Sequence, residues 1–223
     1  MEAIRKSHNA LKRTLIQSVT TKGHYVLDVG CGFGGDIQKW HKCGAVLCAG
    51  DPSKEALKEA QSRAASMKIP VTFFEGDILA SPERPFDVIC YNFSLHYIFQ
   101  SKEIFFRSIQ AIRKRLRKGC KLVGIIPDSE SLLMAMPFRD SLGNMIEKAG
   151  PLTGYGAFGE RIVVELVDTP FYKSGAKMEP LAYKDLLVTH LEDLGLTLEY
   201  WKPVDASESA LSGLYIMFIF VCN

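Results

Sequence analysis

Apolar and polar positions follow two rhythms along the first 126 residues. Short apolar runs of strand character fall at 25–29, 45–49, 71–75, 86–91 and 120–126. Between them, amphipathic helical stretches fall at 35–42, 53–67 and 102–117, after a helical segment at 1–20. Strands separated by helices need crossover connections, and right-handed crossovers build a parallel sheet. Ser53 followed by Glu55 marks the start of one helix, and Lys118-Gly119 reads as the end of another. Beyond residue 126 the pattern loosens. It predicts a helix at about 130–148, a glycine-rich loop at 149–160, an exposed alternating strand at 161–167 and a helix at 182–194. Strands at 196–202 and 213–221, joined by the polar loop Asp205–Ser212, form a terminal antiparallel pair. The expectation is one α/β domain over 1–223. It comprises an N-terminal helix (1–22), a core (23–126), an insertion (about 127–180) and a C-terminal helix and hairpin (181–223).

The first strand carries the most informative chemistry. Residues 26–36 read Val-Leu-Asp-Val-Gly-Cys-Gly-Phe-Gly-Gly-Asp: a buried strand, a tight glycine loop and a helix start. Such a unit builds a nucleotide-sized cleft at the carboxyl end of a parallel sheet. Gly30, Gly32 and Gly35 also fit the dinucleotide spacing, in which a pyrophosphate sits on the helix N-terminus. Asp28 argues against that ligand, because a carboxylate two residues before the first glycine repels a diphosphate. It suits a ligand with an ammonium and a sulfonium, such as S-adenosylmethionine.

Ligands of doubly wound sheets bind outside the carboxyl ends of the strands, so the residue after each strand matters. The second strand leads to Asp51, which can accept both hydroxyls of a ribose. The third leads to Asp77 and Ile78, an acceptor for an adenine amino group and an apolar surface for its ring. The fourth leads to Asn92 and then to His96-Tyr97, which face the place of a methyl acceptor and can stack on a flat base. An acid after a strand is also a common turn or capping residue. Three of them behind this glycine loop make chance a poor explanation. His8, His24, His41 and His190 show no ligand spacing and read as surface or packing residues.

Composition adds little beyond class. Of 223 residues, 47% are hydrophobic and 23% charged, as in ordinary globular domains. No apolar leader follows Met1, and the longest apolar run, 214–222, is too short for a spanning helix. The six cysteines form no C-x-x-C pair, which argues against a zinc site or a disulfide framework and for a reducing, cytoplasmic setting. Net charge is +2, yet Arg5, Lys6, Lys12, Arg13 and Lys22 cluster early, and 113–121 holds six basic residues without an acid. Either cluster reads as a solvated helix face or as a path for a polyanion.

These residues resemble the mRNA cap guanine-N7 methyltransferases. Asn9-Ala10-Leu11-Lys12 with Leu15-Ile16 is similar to that family's N-terminal helix. Asp28 to Trp40 is similar to its glycine loop and helix, His96-Tyr97 to its H-Y pair, and Pro127-Asp128-Ser129 to its P-[ND]-S turn. Phe158-Gly159, Glu179 and Ser209 with Tyr215–Phe218 match later landmarks more loosely. The resemblance implies a class I S-adenosylmethionine-dependent methyltransferase fold, Rossmann-like: a mostly parallel seven-stranded sheet with a C-terminal hairpin and an insertion after the fifth strand. It implies S-adenosylmethionine, leaving as S-adenosylhomocysteine, held by Lys12, Asp28, Gly30, Asp51, Asp77, Ile78 and Asn92. It implies a capped mRNA 5′ end as substrate, with Asn9 near the cap and His96, Tyr97, Glu179 and Tyr215 around guanine. No metal and no acid–base side chain are expected. Two positions depart from the family: Phe33 stands where Lys is usual, and Asn92 where Gln is common. The sequence is most like the methyltransferase domains of capping enzymes from large cytoplasmic DNA viruses, African swine fever virus among them. There triphosphatase and guanylyltransferase domains are companions, and Met1 need not be a native start. Such an origin implies a viral factory or virion; a cellular member would be nuclear. The remaining alternatives are another methyltransferase of this fold, a non-catalytic subunit of a capping complex, and a nicotinamide oxidoreductase.

Overall fold

The computed structural model describes residues 2–152, 158–167, 169–205 and 209–223. Gly154 and Gly156 of the predicted loop, residues 206–208 of the polar loop and the Arg5 side chain lie outside the described part. A long helix, α1 (Glu2–Val19), precedes five strands and three α-helices. These are β1 (Tyr25–Val29), α2 (Ile37–Lys42), β2 (Val46–Asp51), α3 (Lys54–Ser66), β3 (Val71–Glu75), β4 (Val88–Asn92), α4 (Lys102–Arg113) and β5 (Lys121–Pro127). The chain then forms α5 (Ser129–Ala135), β6 (Phe138–Arg139), β7 (Met145–Lys148), β8 (Arg161–Glu165), β9 (Lys177–Pro180), α6 (Lys184–Glu192), β10 (Leu196–Pro203) and β11 (Tyr215–Cys222).

The main sheet has seven strands in the order β10-β11-β5-β4-β1-β2-β3. Pairs among β1–β5 are parallel, whereas β11 runs antiparallel to both β5 and β10. All five residues of β4 are buried, as are six of the seven in β5. Central strands covered on both faces need such uninterrupted apolar runs. The strand order reverses between β1 and β4, and that switch point places the glycine loop and Asn92 side by side. Ser53 caps α3 as its sequence promised, accepting from the Ala56 N–H at 3.2 Å.

Two expectations fail in the region 127–180. The predicted helix at about 130–148 stops at Ala135, and β6 and β7 follow instead. Pro137 cannot continue a helix and pushes Met136 into extended backbone. The Asp140 carboxylate then accepts from the N–H groups of Leu142 and Asn144, and Gly143 takes φ +93°, closing a hairpin turn. The strand at 161–167 is not exposed: β8 lies inside a second, four-stranded antiparallel sheet, β6-β7-β8-β9, with Ile162 and Val164 buried. The helix over 102–117 also ends early, at Arg113, and Gly119 belongs to the turn feeding β5.

Candidate functional site

The donor side is built at the β1–α2 turn. Gly30 takes φ +76°, and a Cβ there would fall 2.4 Å from Cβ of Ser94, whose hydroxyl donates to the Val29 carbonyl at 2.6 Å. Only glycine fits between the two switch-point strands. Gly32 also has positive φ, but nothing lies within 4 Å of its missing Cβ, so that face of the loop is open to a ligand. Asp51 accepts from the Gly32 N–H through Oδ2 and from the Ser53 N–H through Oδ1, both at 2.8 Å. The acid therefore shapes the loop and still offers free lone pairs. Asp77 accepts from the Leu79 N–H at 2.9 Å and starts the short 3-10 turn Ile78–Ala80. Both carboxylates thus fill the local capping role and stay at the strand ends.

Asp36 is the hub that sequence reasoning missed. Lys12 of α1 reaches it at 2.9 Å, Lys39 at 2.6 Å, and Asn92 Nδ2 donates to its other oxygen at 3.1 Å. Burial alone would raise its pKa; the two ammonium groups outweigh burial and hold it below the usual carboxylate range. Asp28 is 2% exposed and accepts from Trp40 Nε1 at 3.2 Å. Burial, and then the charge of Asp36, push Asp28 up to about 7. Asn92 keeps a buried Oδ1 without a partner. Open space over Gly32, a buried unpartnered amide oxygen and a ring of carboxylates fit a ligand rich in hydroxyl and ammonium donors, and fit a diphosphate poorly. Ile78, in the short turn after β3, is 1% exposed and packs into the core.

The acceptor side converges from four elements. Glu179, on β9, is 4% exposed. The Tyr172 hydroxyl donates to its Oε1, the Tyr97 phenol is a neighbour that favours the ionised carboxylate, and His96 Nε2 lies 3.2 Å from Oε2, too poorly aligned for a hydrogen bond. Burial raises the Glu179 pKa, but His96, Tyr172 and Tyr97 together hold it below the ordinary value. The rings of His96 and Tyr97 lie 4.3 Å apart. Tyr215, buried at the start of β11, feels the same carboxylate, which adds to the effect of burial in raising its phenol pKa.

Asn9 is not part of this group. Its Oδ1 accepts from Lys39 Nζ at 3.1 Å, beside the Asp36 hub. The neighbouring His8 stacks on Phe93 at 5.3 Å and meets Tyr215 edge-on at 5.6 Å, with Nε2 3.2 Å from Ser212 Oγ. Burial, then the charge of Lys12, push His8 down to about 4, so it stands neutral. One residue of helical rotation, 100°, separates the two roles, and a segment match alone could not choose between them. Phe93 holds φ +61°, a conformation uncommon for a bulky residue, at the turn between donor and acceptor sides.

Part of the basic run 113–121 is tied into the fold. Arg115 is buried and donates to Ser81 Oγ at 2.6 Å and the Ala111 carbonyl at 2.8 Å. Lys114 pairs with Glu83, and Arg117 with Asp87. Among the described residues, no group of three His, Cys, Asp or Glu side chains could hold a metal ion, and no helix is long and apolar enough to cross a membrane.

Residues 1–149 match the model of the mRNA (guanine-N(7))-methyltransferase domain. The chain belongs to that family. The mRNA cap guanine-N(7) methyltransferase of Candida glabrata is 35% identical over 144 residues, covering 58% of this chain and 34% of that protein. That of Eremothecium gossypii is 35% identical over 166 residues, covering 65% of this chain and 39% of that protein. The chain thus spans little more than a third of the length of these relatives. A protein from Pyrococcus horikoshii shares the fold with a TM-score of 0.69 at 19% identity, over 99% of this chain and 92% of that one. The fold is that of the class I S-adenosylmethionine-dependent methyltransferases.

Proposed function

We propose that this chain methylates N7 of the guanine in the 5′ cap of mRNA, with S-adenosylmethionine as donor. The observation that carries the reading is Glu179, a buried carboxylate kept ionised among His96, Tyr97 and Tyr215; the Tyr97 phenol also feels the charge of Asp51, which holds the glycine loop through the Gly32 N–H. A carboxylate accepts from guanine N1–H and the 2-amino group together, a pairing that adenine cannot offer.

Lys12, Asp28, Gly30, Asp51, Asp77, Ile78 and Asn92 are the residues that would hold the donor; Asp36 joins them through Lys12 and Asn92. When bound, S-adenosylmethionine supplies an electrophilic sulfonium methyl group and leaves as S-adenosylhomocysteine. Guanine N7 carries a free lone pair and no proton, so the transfer is an in-line displacement that needs no general base. The work of the protein is then to hold the acceptor edge with Glu179, flank the base with His96, Tyr97 and Tyr215, and exclude water. Positioning of this kind supplies about 7–11 kcal/mol of a barrier. The companion triphosphatase and guanylyltransferase activities, the viral affinity and a cytoplasmic location rest on the sequence resemblance; the relatives described above are fungal.

The test is transfer of labelled methyl from S-adenosylmethionine to RNA ending in GpppA or GpppG. Label is expected on both and none on RNA whose cap is already N7-methylated. Donor binding by calorimetry without any transfer would instead support a non-catalytic subunit.

A further inference from the structure

The acceptor site contains a side chain that neither the sequence nor the family landmarks single out. Tyr172 ends a short 3-10 turn, Pro170–Tyr172, between β8 and β9. Its hydroxyl donates to Oε1 of Glu179. We propose that Tyr172 is a positioning residue of the guanine site, fixing the Glu179 carboxylate in the orientation that meets the purine edge. The proposal rests on the guanine reading given above.

Three observations support it. The first is hydrogen-bond capacity. A carboxylate has about four lone-pair sites. The Tyr172 phenol takes one, and His96 approaches without good alignment. At least two sites remain, enough for N1–H and the 2-amino group. The second is anchoring. Tyr172 N–H donates to the Thr169 carbonyl at 3.1 Å and Gly175 N–H to the Tyr172 carbonyl at 2.9 Å. Lys177, two residues before Glu179, sits over the adjacent Phe171 ring with Nζ 4.2 Å from its centroid. The turn is therefore tied to the strand that carries the carboxylate. The third is protonation. Burial, then the charge of Glu179, push the Tyr172 phenol well above its ordinary pKa, so it remains a donor at any working pH.

Tyr172→Phe removes the hydroxyl and keeps the ring. The expected result is a rise of about tenfold in KM for GpppA-capped RNA, the cost of one hydrogen bond to a charged group. The saturated rate and the calorimetric affinity for S-adenosylmethionine stay within about twofold. The acid limb of the KM profile moves to higher pH. The titratable groups facing Glu179 are His96, Tyr97, Tyr172 and Tyr215, and losing one donor weakens its hold on the ionised form. In a Glu179→Gln background, Tyr172→Phe adds less than a factor of about two in cap affinity, because the carboxylate it acts through is gone. An unchanged or lowered KM in the single variant would overturn the proposal, as would an equal cost in the Gln background. Wild-type enzyme that transfers no methyl to capped RNA would defeat the guanine reading itself, a separate result.

Discussion

Glu179 and Asp28 are both buried carboxylates, and their neighbours set them apart. Phenols and an imidazole surround Glu179 and keep it ionised, whereas Asp28 has one indole N–H and a like charge nearby. Glu179→Gln should raise KM for capped RNA by roughly 10–100-fold, the range for a hydrogen bond to a charged group, with donor affinity by calorimetry unchanged. For Asp28 the folded-state pKa of about 7 lies above the ordinary 3.8. Its contribution to stability is therefore present below pH 3.8 and lost as pH rises through 7. Asp28→Asn removes that cost and keeps an acceptor for Trp40. Thermal unfolding at pH 8 should show a midpoint higher by about 2–4 °C, while donor affinity falls. A variant less stable than wild type at pH 8 would contradict the raised pKa. At this scale the sequence located His96, Tyr97, Glu179 and Tyr215 through a resemblance. It did not single out Asp36 and Tyr172, because their partners come from distant elements; it read His8 as a surface or packing residue, and the ring packs on Phe93 and Tyr215.

Helix α1 shows how an element joins the two halves of the site. Its side chains reach Asp36 through Lys12, Lys39 through Asn9, and the Phe93–Tyr215 pair through His8. Lys12→Met breaks one ion pair and leaves Asp36 to Lys39 and Asn92. Donor affinity should fall by about 3–10-fold, and the amides of α1 should exchange faster in deuterium exchange. Unaltered exchange in α1 would show that the helix is held by its apolar face, Leu15, Ile16 and Val19. Strand and helix periodicity made the elements up to β5 legible, because each buries a face against a layer that the same pattern predicts. Of the second sheet only β8 was legible as a strand: the strands are five residues or shorter, and Pro137 and the Asp140 turn interrupt what otherwise reads as a helix.

The whole molecule places charge as deliberately as it places apolar groups. Arg115 and Arg117 of the basic run tie α4 and the β5 turn to Ser81 and Asp87, so they are committed to the fold. Electrostatic attraction of RNA is then expected from α1 instead. Arg13→Ala should lower the slope of log affinity against log salt for capped RNA by about 1, and Lys118→Ala should lower it less. Equal slopes for Arg13→Ala and wild type would remove α1 from the RNA path. The terminal antiparallel pair that the sequence predicts joins the sheet through β11, which lies against the free edge of β5. What decides the function is a smaller matter, which atom of the base receives the methyl group. RNA capped with 7-deazaguanosine keeps the edge that Glu179 reads and lacks the N7 lone pair. It is expected to bind within a few-fold of the GpppA cap and to take up no label from S-adenosylmethionine. Label on the 7-deazaguanine base, under conditions where the GpppA cap is methylated, would contradict the account.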